Sequence, residues 1–157
     1  MNLIQSHQED RLPYPEQLIA IMRQDLTQYG VKETRTPQEV EAALAPGADT
    51  VLMVINSVCG CAAGRARPAV GLALKHGTNK PDSAATVFAG ADLEAVSAVR
   101  QKLVGYPPSS PSIALFRDGK PVFVLERSDI ESSSAPQIAQ RLLDAFDQFC
   151  VPAGRAS

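Results

Sequence analysis

Three cysteines are the residues of this sequence best suited to chemistry: Cys59, Cys61 and Cys150. Two of them stand two positions apart, separated by Gly60. A disulfide between residues that close encloses almost no chain, so it adds little to the stability of a fold. An odd, small number of cysteines also argues against a structural disulfide framework. The pair is therefore redox-active, metal-binding or accidental.

The segments on either side of the pair favour redox chemistry. The run from Thr50 to Asn56 is continuously apolar and rich in β-branched residues, which predicts a strand buried on both faces. The run from Ala62 to His76 predicts a helix. The cysteines would then lie at the carboxyl end of a strand and at a helix N-terminus, whose partial positive charge favours a thiolate. Gly60 allows a tight turn there and leaves the sulfurs open to a partner.

The charge pattern around the pair points the same way. No acidic residue lies between Asp49 and Asp82, although basic residues are frequent in that span. Arg65 and Arg67 follow the cysteines by one to two helical turns. A nearby positive charge favours the ionised form of a thiol. The sequence therefore predicts that these two arginines lower the pKa of Cys59.

Other interpretations of the cysteines stay open. Cys59 and Cys61 could be small, inert hydrophobic residues, or two thiolates of a binding or metallochaperone module that holds a soft metal such as Cu(I). A closed zinc site needs four ligands, and the two histidines, His7 and His76, lack ligand spacing to the pair. We therefore expect no metal site. Cys150, at the end of an apolar helical stripe, is expected to be structural.

The order of predicted elements indicates an α/β fold. Helices are predicted over residues 15–29, 37–45, 62–76, 92–103 and 134–149, and strands over 31–35, 50–56, 84–89, 112–116 and 121–126. This alternation predicts a mixed, mostly parallel central sheet with helices on both faces. A strand, a cysteine motif and a helix, followed later by a proline, a strand and a hairpin, form the thioredoxin-like arrangement. The helix over 15–29 is then an extra N-terminal helix.

Short sequence patterns indicate where several helices and strands begin or end. Asp118-Gly119 between two apolar runs predicts a tight hairpin. Asp92 is predicted to cap the helix that follows it. Ser134, with Gln137 three residues later, predicts a capping box for the last helix.

Length and composition exclude several classes of protein. A chain of 157 residues with 45% hydrophobic and 20% charged residues is typical of a single globular domain, here residues 1–157. A net charge of −2 gives no bulk attraction to nucleic acid or to a membrane surface. The first residues resemble no export signal, so a cytoplasmic location is expected. Residues 1–12 and 151–157 are expected to be flexible.

The sequence resembles a known family along most of its length. The run Asn56 to Pro68, which contains the cysteine pair, is similar to the active-site stretch of the bacilliredoxins of the Cys-Gly-Cys type. The run Tyr106 to Phe116, followed by Asp118-Gly119, also resembles that family. So do Glu126-Arg127, the run 129–131, Ala145-Phe146-Asp147 and Cys150.

The resemblance implies a thioredoxin-like thiol–disulfide oxidoreductase. Its co-substrate would be bacillithiol, a low-molecular-weight thiol, and its partners would be bacillithiolated proteins, with no bound cofactor and with weak disulfide isomerase activity. Carried over by position, Cys59 is the nucleophile and Cys61 the second redox cysteine. Ser128 and Ser132 depart from the His and Gly that the family pattern leads us to expect, so no role is assigned to their loop.

The resemblance also bears on one proline. Pro111 precedes a predicted strand, and Pro107-Pro108 already stiffens its loop. Aligned with the thioredoxin pattern, it is the proline that faces the cysteines. We therefore predict a cis Ser110–Pro111 bond whose backbone lies against the sulfurs.

Overall fold

The computed structural model describes residues 14–150, so the predicted flexibility of 1–12 and 151–157 lies outside the described residues. The helices are α1 Glu16–Thr27, α2 Pro37–Ala43, a π-helix Ala62–Ala66, α3 Arg67–His76, α4 Leu93–Lys102, α5 Arg127–Glu131 and α6 Ala135–Phe149. The strands are β1 Lys32–Glu33, β2 Thr50–Asn56, β3 Ser83–Phe88, β4 Ser112–Arg117 and β5 Lys120–Leu125. No described helix combines the length and the apolar character needed to cross a membrane.

The five strands form one sheet in the order β1-β3-β2-β4-β5. The pairings β1–β3 and β3–β2 are parallel, whereas β2–β4 and β4–β5 are antiparallel. Only β4 therefore runs against the other described strands. The predicted mixed, mostly parallel sheet is confirmed, and β2 lies at its centre. All seven residues of β2 are buried, as its apolar run predicts.

Helices cover both faces of this sheet and produce two hydrophobic cores. Alternate side chains of a strand point to opposite faces, so β2 contributes to both cores. Leu52 and Val54 pack on the face covered by α3 and α6, and Leu26 of α1 joins them there. Met53 and Ile55 pack on the other face, against α2 and α4. Each fully buried aliphatic side chain of this kind stabilises the fold by roughly 1.5–3 kcal/mol.

The predicted hairpin and capping box are both present. Asp118 and Gly119 join β4 to β5 with φ angles of 53° and 75°, the left-handed pair that a two-residue hairpin turn requires. Ser134 accepts a hydrogen bond from the backbone N–H of Gln137, and the Gln137 side chain accepts one from the N–H of Ser134. Both bonds satisfy N–H groups at the start of α6 that have no partner within the helix.

Asp92 occupies the N-cap position of α4, as predicted, but the predicted capping hydrogen bond of its side chain is absent. Its carboxylate accepts one hydrogen bond from the backbone N–H of Phe88, at 3.0 Å. It also accepts two from the guanidinium of Arg23, at 2.9 and 2.8 Å. A buried bidentate arginine is a stronger partner for a carboxylate than one helix N–H group.

The short helix α5 was not predicted. It begins after Glu126, which forms a reciprocal capping box with Asp129. Glu in the first position of such a box is less typical than Ser or Thr, which is why the signal is weak in the sequence.

Candidate active site

The cysteine pair lies where the central strand meets a helix N-terminus. The helical backbone begins at Gly60, so Cys59 stands just before the first turn and Cys61 stands within it. The carbonyl of Cys59 accepts hydrogen bonds from the N–H groups of Ala62 and Ala63, at 3.1 and 3.2 Å. The predicted placement of the pair between strand and helix is thus confirmed.

Ser57 is the polar side chain closest to the chemistry of Cys59, and sequence reasoning missed it. Its hydroxyl donates a hydrogen bond to the Cys59 sulfur over 3.2 Å. The same oxygen accepts one from the backbone N–H of Cys59, at 3.3 Å. A serine two residues before a redox cysteine could have been considered, because that spacing suits a turn closed by a side chain.

These contacts favour the thiolate of Cys59. Burial alone would raise the pKa of this thiol. The hydroxyl of Ser57, the backbone N–H groups of Ala62 and Cys61, and the charge of Arg127 oppose burial and hold the pKa of Cys59 below its ordinary value. The nucleophilic form is therefore more populated at Cys59 than in a free cysteine.

Cys61 has the opposite tendency. Burial raises the pKa of Cys61, and the negative charges of the Cys59 thiolate and of Glu131 raise it further. Its thiol also hydrogen-bonds to Cys59 in a way that favours the protonated form. Both cysteines are half-buried, so exposure does not distinguish them. Their acidity does.

Of the two arginines predicted to act on Cys59, Arg67 lies beside the strand end and Arg65 points elsewhere. Arg65 donates hydrogen bonds to the carbonyls of Glu131 and, at 3.3 Å, Ser133. Arg67 is buried, with 3% of its surface exposed, and its charge interacts with Cys59. The prediction for Arg65 is corrected: its backbone acceptors are Glu131, the last residue of α5, and Ser133, in the loop that follows.

Arg127 is the arginine whose charge acts most on Cys59. It begins α5, and its Nη1 donates a hydrogen bond to the carbonyl of Ser110 at 3.2 Å. Its backbone N–H donates to the hydroxyl of Ser109 at 3.3 Å, and its Nε pairs with Glu131. Sequence analysis missed this role because α5 itself was not predicted.

The peptide bond between Ser110 and Pro111 is cis, as predicted. Ser112 pairs with Ile55 near the end of β2, so Pro111 lies beside that strand end and on the same edge of the sheet as the cysteines. Arg127 connects the two parts of the site, because it bonds to Ser110 and acts on Cys59.

Cys150 lies near the other end of β2. It is buried and interacts with Thr50, the first residue of that strand. Six residue steps of about 3.3 Å separate the two ends of β2 by roughly 20 Å. Cys150 is therefore remote from the cysteine pair, in agreement with the structural role expected for it. Between residues 14 and 150, no three His, Cys, Asp or Glu side chains form a group that could hold a metal ion.

Fold and site together define a thioredoxin-fold protein with a paired-cysteine centre. The structure resembles that of a putative oxidoreductase with a thioredoxin fold, with a TM-score of 0.54 and 14% identity, covering 70% of this chain and 91% of that one. It also resembles the thioredoxin of Malassezia sympodialis, with a TM-score of 0.53 and 12% identity, covering 77% and 91%. At such low identities these likenesses show the fold alone.

Sequence comparison shows the family. Residues 14–150 match the family described as "Disulphide isomerase". A bacilliredoxin of Salinibacter ruber is 56% identical over 140 residues, which cover 88% of this chain and 82% of that protein. A bacilliredoxin of Koribacter versatilis is 49% identical over 137 residues, covering 87% and 94%. The chain belongs to the bacilliredoxin family, a family of thiol–disulfide oxidoreductases, as its resemblance predicts.

Proposed function

We propose that this protein removes a low-molecular-weight thiol, bacillithiol, from mixed disulfides on other proteins. The thiolate of Cys59 attacks the bacillithiol sulfur of the mixed disulfide. A new disulfide forms between Cys59 and bacillithiol, the original disulfide breaks, and the substrate protein leaves as a thiolate that takes up a proton. No oxidant or reductant is consumed in this step, because one disulfide replaces another.

The opposite acidities of the two cysteines are the observation that supports this assignment best. Thiol–disulfide exchange requires a thiolate as the attacking group. The pKa of Cys59 is lowered by Ser57, by backbone N–H groups and by Arg127. The pKa of Cys61 is raised, so it stays protonated while Cys59 attacks.

Cys61 acts in the second half of the reaction. Once Cys59 carries bacillithiol, its negative charge is gone, and Cys61 loses the neighbour that opposed its ionisation. Cys61 then attacks the Cys59 sulfur, which forms a Cys59–Cys61 disulfide and releases bacillithiol as a thiolate. Alternatively, a second bacillithiol thiolate attacks the bacillithiol sulfur, which forms bacillithiol disulfide and releases Cys59 as a thiolate. The same chemistry applied to a disulfide between two protein cysteines gives a weak isomerase activity.

The remaining parts of the proposal concern location and partners. A cytoplasmic location suits an enzyme whose cysteines must be kept reduced. Its partners are bacillithiolated proteins and free bacillithiol, and the reaction needs no bound cofactor because the two thiols supply the chemistry.

The test uses a model protein that carries bacillithiol on one cysteine. After incubation with the reduced protein, mass spectrometry should find the substrate without its adduct, and either bacillithiol on Cys59 or a Cys59–Cys61 disulfide in this protein. A parallel substrate that carries glutathione measures the preference for bacillithiol. If the adduct stays on the model protein at every pH between 6 and 9, the proposed function is wrong.

A further inference from the structure

The extra N-terminal helix α1 is tied to the end of the central strand by a buried arginine. One carboxylate oxygen of Asp25, on α1, lies 3.2 Å from Nε of Arg67. Nη1 of Arg67 donates hydrogen bonds to Oδ1 of Asn56 and to the carbonyl of Ser57, both at 3.2 Å. The side-chain amide of Asn56 in turn donates to the carbonyl of Met22, again on α1, at 3.2 Å.

The hydrogen bonds of Arg67 and Asn56 converge on the residue that contacts the reactive sulfur, and the ion pair with Asp25 joins them to α1. Oδ1 of Asn56 accepts the backbone N–H of Ser57 at 2.9 Å, so the backbone of Ser57 is held on both its N–H and its carbonyl side. The hydroxyl of Ser57 is the group that donates to the Cys59 sulfur. Any movement of Ser57 would therefore move the donor of that bond.

The charged and titratable groups that face Cys59 come from three elements. Arg127 lies on α5, Arg67 begins α3, and Cys61 belongs to the first turn after the strand. Glu131, also on α5, acts on Cys61 and is paired with Arg127. Among the arginines, Arg67 is buried, whereas Arg127 is exposed, so solvent screens the field of Arg67 less.

We infer that Arg67 is a positioning residue, which fixes Ser57 against Cys59 and is itself held by α1 through Asp25. The inference rests on the proposed role of Cys59 as the attacking thiol. It makes α1 a part of the active site's support rather than an addition to the fold. Without the guanidinium, Asn56 and the Ser57 carbonyl lose their shared donor, and the hydroxyl of Ser57 is no longer held toward the sulfur.

The test measures the alkylation rate of Cys59 against pH in a background that carries Cys61→Ala and Cys150→Ala. Arg67→Gln should move the midpoint upward by about half a pH unit or more, because both a charge and a positioned donor are lost. Arg67→Lys keeps the charge but not the forked geometry, and should move it by a smaller amount in the same direction. Arg23→Gln is the matched control, since Arg23 is a similarly buried arginine that bonds to Asp92, away from the cysteines.

A second readout separates positioning from general damage. In the intact dithiol protein, Arg67→Gln should slow exchange about threefold at a pH below the midpoint and restore the normal rate at pH 9, where the thiolate forms regardless. Arg23→Gln should lower the melting temperature without moving the midpoint.

Three results would overturn the inference: an unchanged midpoint in Arg67→Gln, an equal shift in Arg23→Gln, or a rate loss in Arg67→Gln that persists at pH 9. Should Arg67→Gln fail to fold, the Lys variant decides, and an unchanged midpoint there rejects the positioning role. The proposed function itself fails separately, by the absence of exchange in the unmodified protein.

Discussion

The two ends of strand β2 place cysteines in opposite surroundings. Beyond Asn56, Cys59 stands at the N-terminus of a helix, with Ser57 and backbone N–H groups around its sulfur. Beside Thr50, Cys150 stands at the C-terminus of α6, where its N–H donates to the carbonyl of Phe146 at 2.8 Å. The helix dipole favours a negative charge at the first position and disfavours it at the second.

The pKa values follow this difference. Burial raises the pKa of Cys150, and its hydrogen bond to Thr50 does not reverse that effect. Burial acts in the same direction at Cys59, but the donors at the helix start reverse it. The comparison shows that position on the fold, and not residue type, decides which cysteine has a lowered pKa.

Removing the attacking thiol should have the largest effect. Cys59→Ala is expected to lower the rate of exchange by roughly a thousandfold or more, because no other described thiol has a lowered pKa. The measurement is loss of the adduct from a bacillithiolated protein, followed by mass. Cys150→Ala is the control and should retain full activity. Activity in Cys59→Ala with an adduct on Cys61 would reverse the assignment of the two cysteines.

Removing the second thiol should have a smaller effect of a different kind. Cys61→Ala should leave the attack intact and accumulate bacillithiol on Cys59, since the internal resolving thiol is gone. Turnover should fall by about tenfold and recover when free bacillithiol is added. Peptide mapping locates the adduct. A variant that turns over at the normal rate without added thiol would show that Cys61 plays no part.

Removing the hydroxyl beside Cys59 should shift acidity rather than abolish exchange. Ser57→Ala should raise the midpoint of Cys59 alkylation by about one pH unit, because a hydrogen bond to a charged group is lost. Ser97→Ala, on the exposed side of α4, serves as the control. An unchanged midpoint in Ser57→Ala would mean that the hydroxyl does not support the thiolate.

Replacing Arg127 or Arg65 should shift the alkylation midpoint of Cys59 by less than replacing Ser57. Arg127→Gln should raise the alkylation midpoint by about 0.3 pH unit at low salt, and 1 M salt should remove most of the difference, because Arg127 is exposed. Arg65→Gln should have a smaller effect, since its guanidinium bonds to backbone carbonyls. A larger shift for Arg65 than for Arg127 would restore the prediction made from the sequence.

The smallest effect should appear in the pH dependence of stability. The pKa of Cys150 is raised on folding, so the free energy of unfolding should fall as the pH rises above about 8.5, where the unfolded thiol ionises first. The pKa of Cys59 is lowered on folding, so the free energy of unfolding should rise with pH up to about 8.5.

Urea unfolding under reducing conditions, at pH values from 6 to 10, measures both slopes. In Cys150→Ala, the free energy of unfolding should fall less steeply above about pH 8.5. In Cys59→Ala, it should rise less steeply below that pH. Two variants with identical pH profiles would contradict the difference between the two ends of β2.

The features that sequence predicted well depend on neighbours in the chain. The buried strand, the Asp118-Gly119 turn and the box of Ser134 with Gln137 each depend on residues a few positions apart. The cysteine pair was found for the same reason, because strand and helix flank it directly.

The features that sequence missed depend on distant contacts. Asp92 is 69 residues from Arg23 in the sequence. No local pattern indicates that Arg23 binds this carboxylate, which then makes no capping hydrogen bond to α4. Arg127 reaches the site through α5 and Ser110, 17 residues away. Arg65 and Arg67 looked equivalent in sequence, yet one reaches a loop and the other the strand end.

The π-helix between the cysteines and α3 has a consequence for how this site tolerates insertions and deletions. A π-turn contains one residue more than an α-turn, so Ala62–Ala66 amounts to a one-residue insertion absorbed into a helix. Deleting a residue there would restore a regular α-helix, but each residue of an α-helix turns the chain by about 100°. Cys61 would then rotate by about that angle relative to α3. The wider π-turn therefore contributes to the orientation of Cys61 relative to α3. A homologue with one residue fewer in this turn would need compensating changes elsewhere to keep the same orientation.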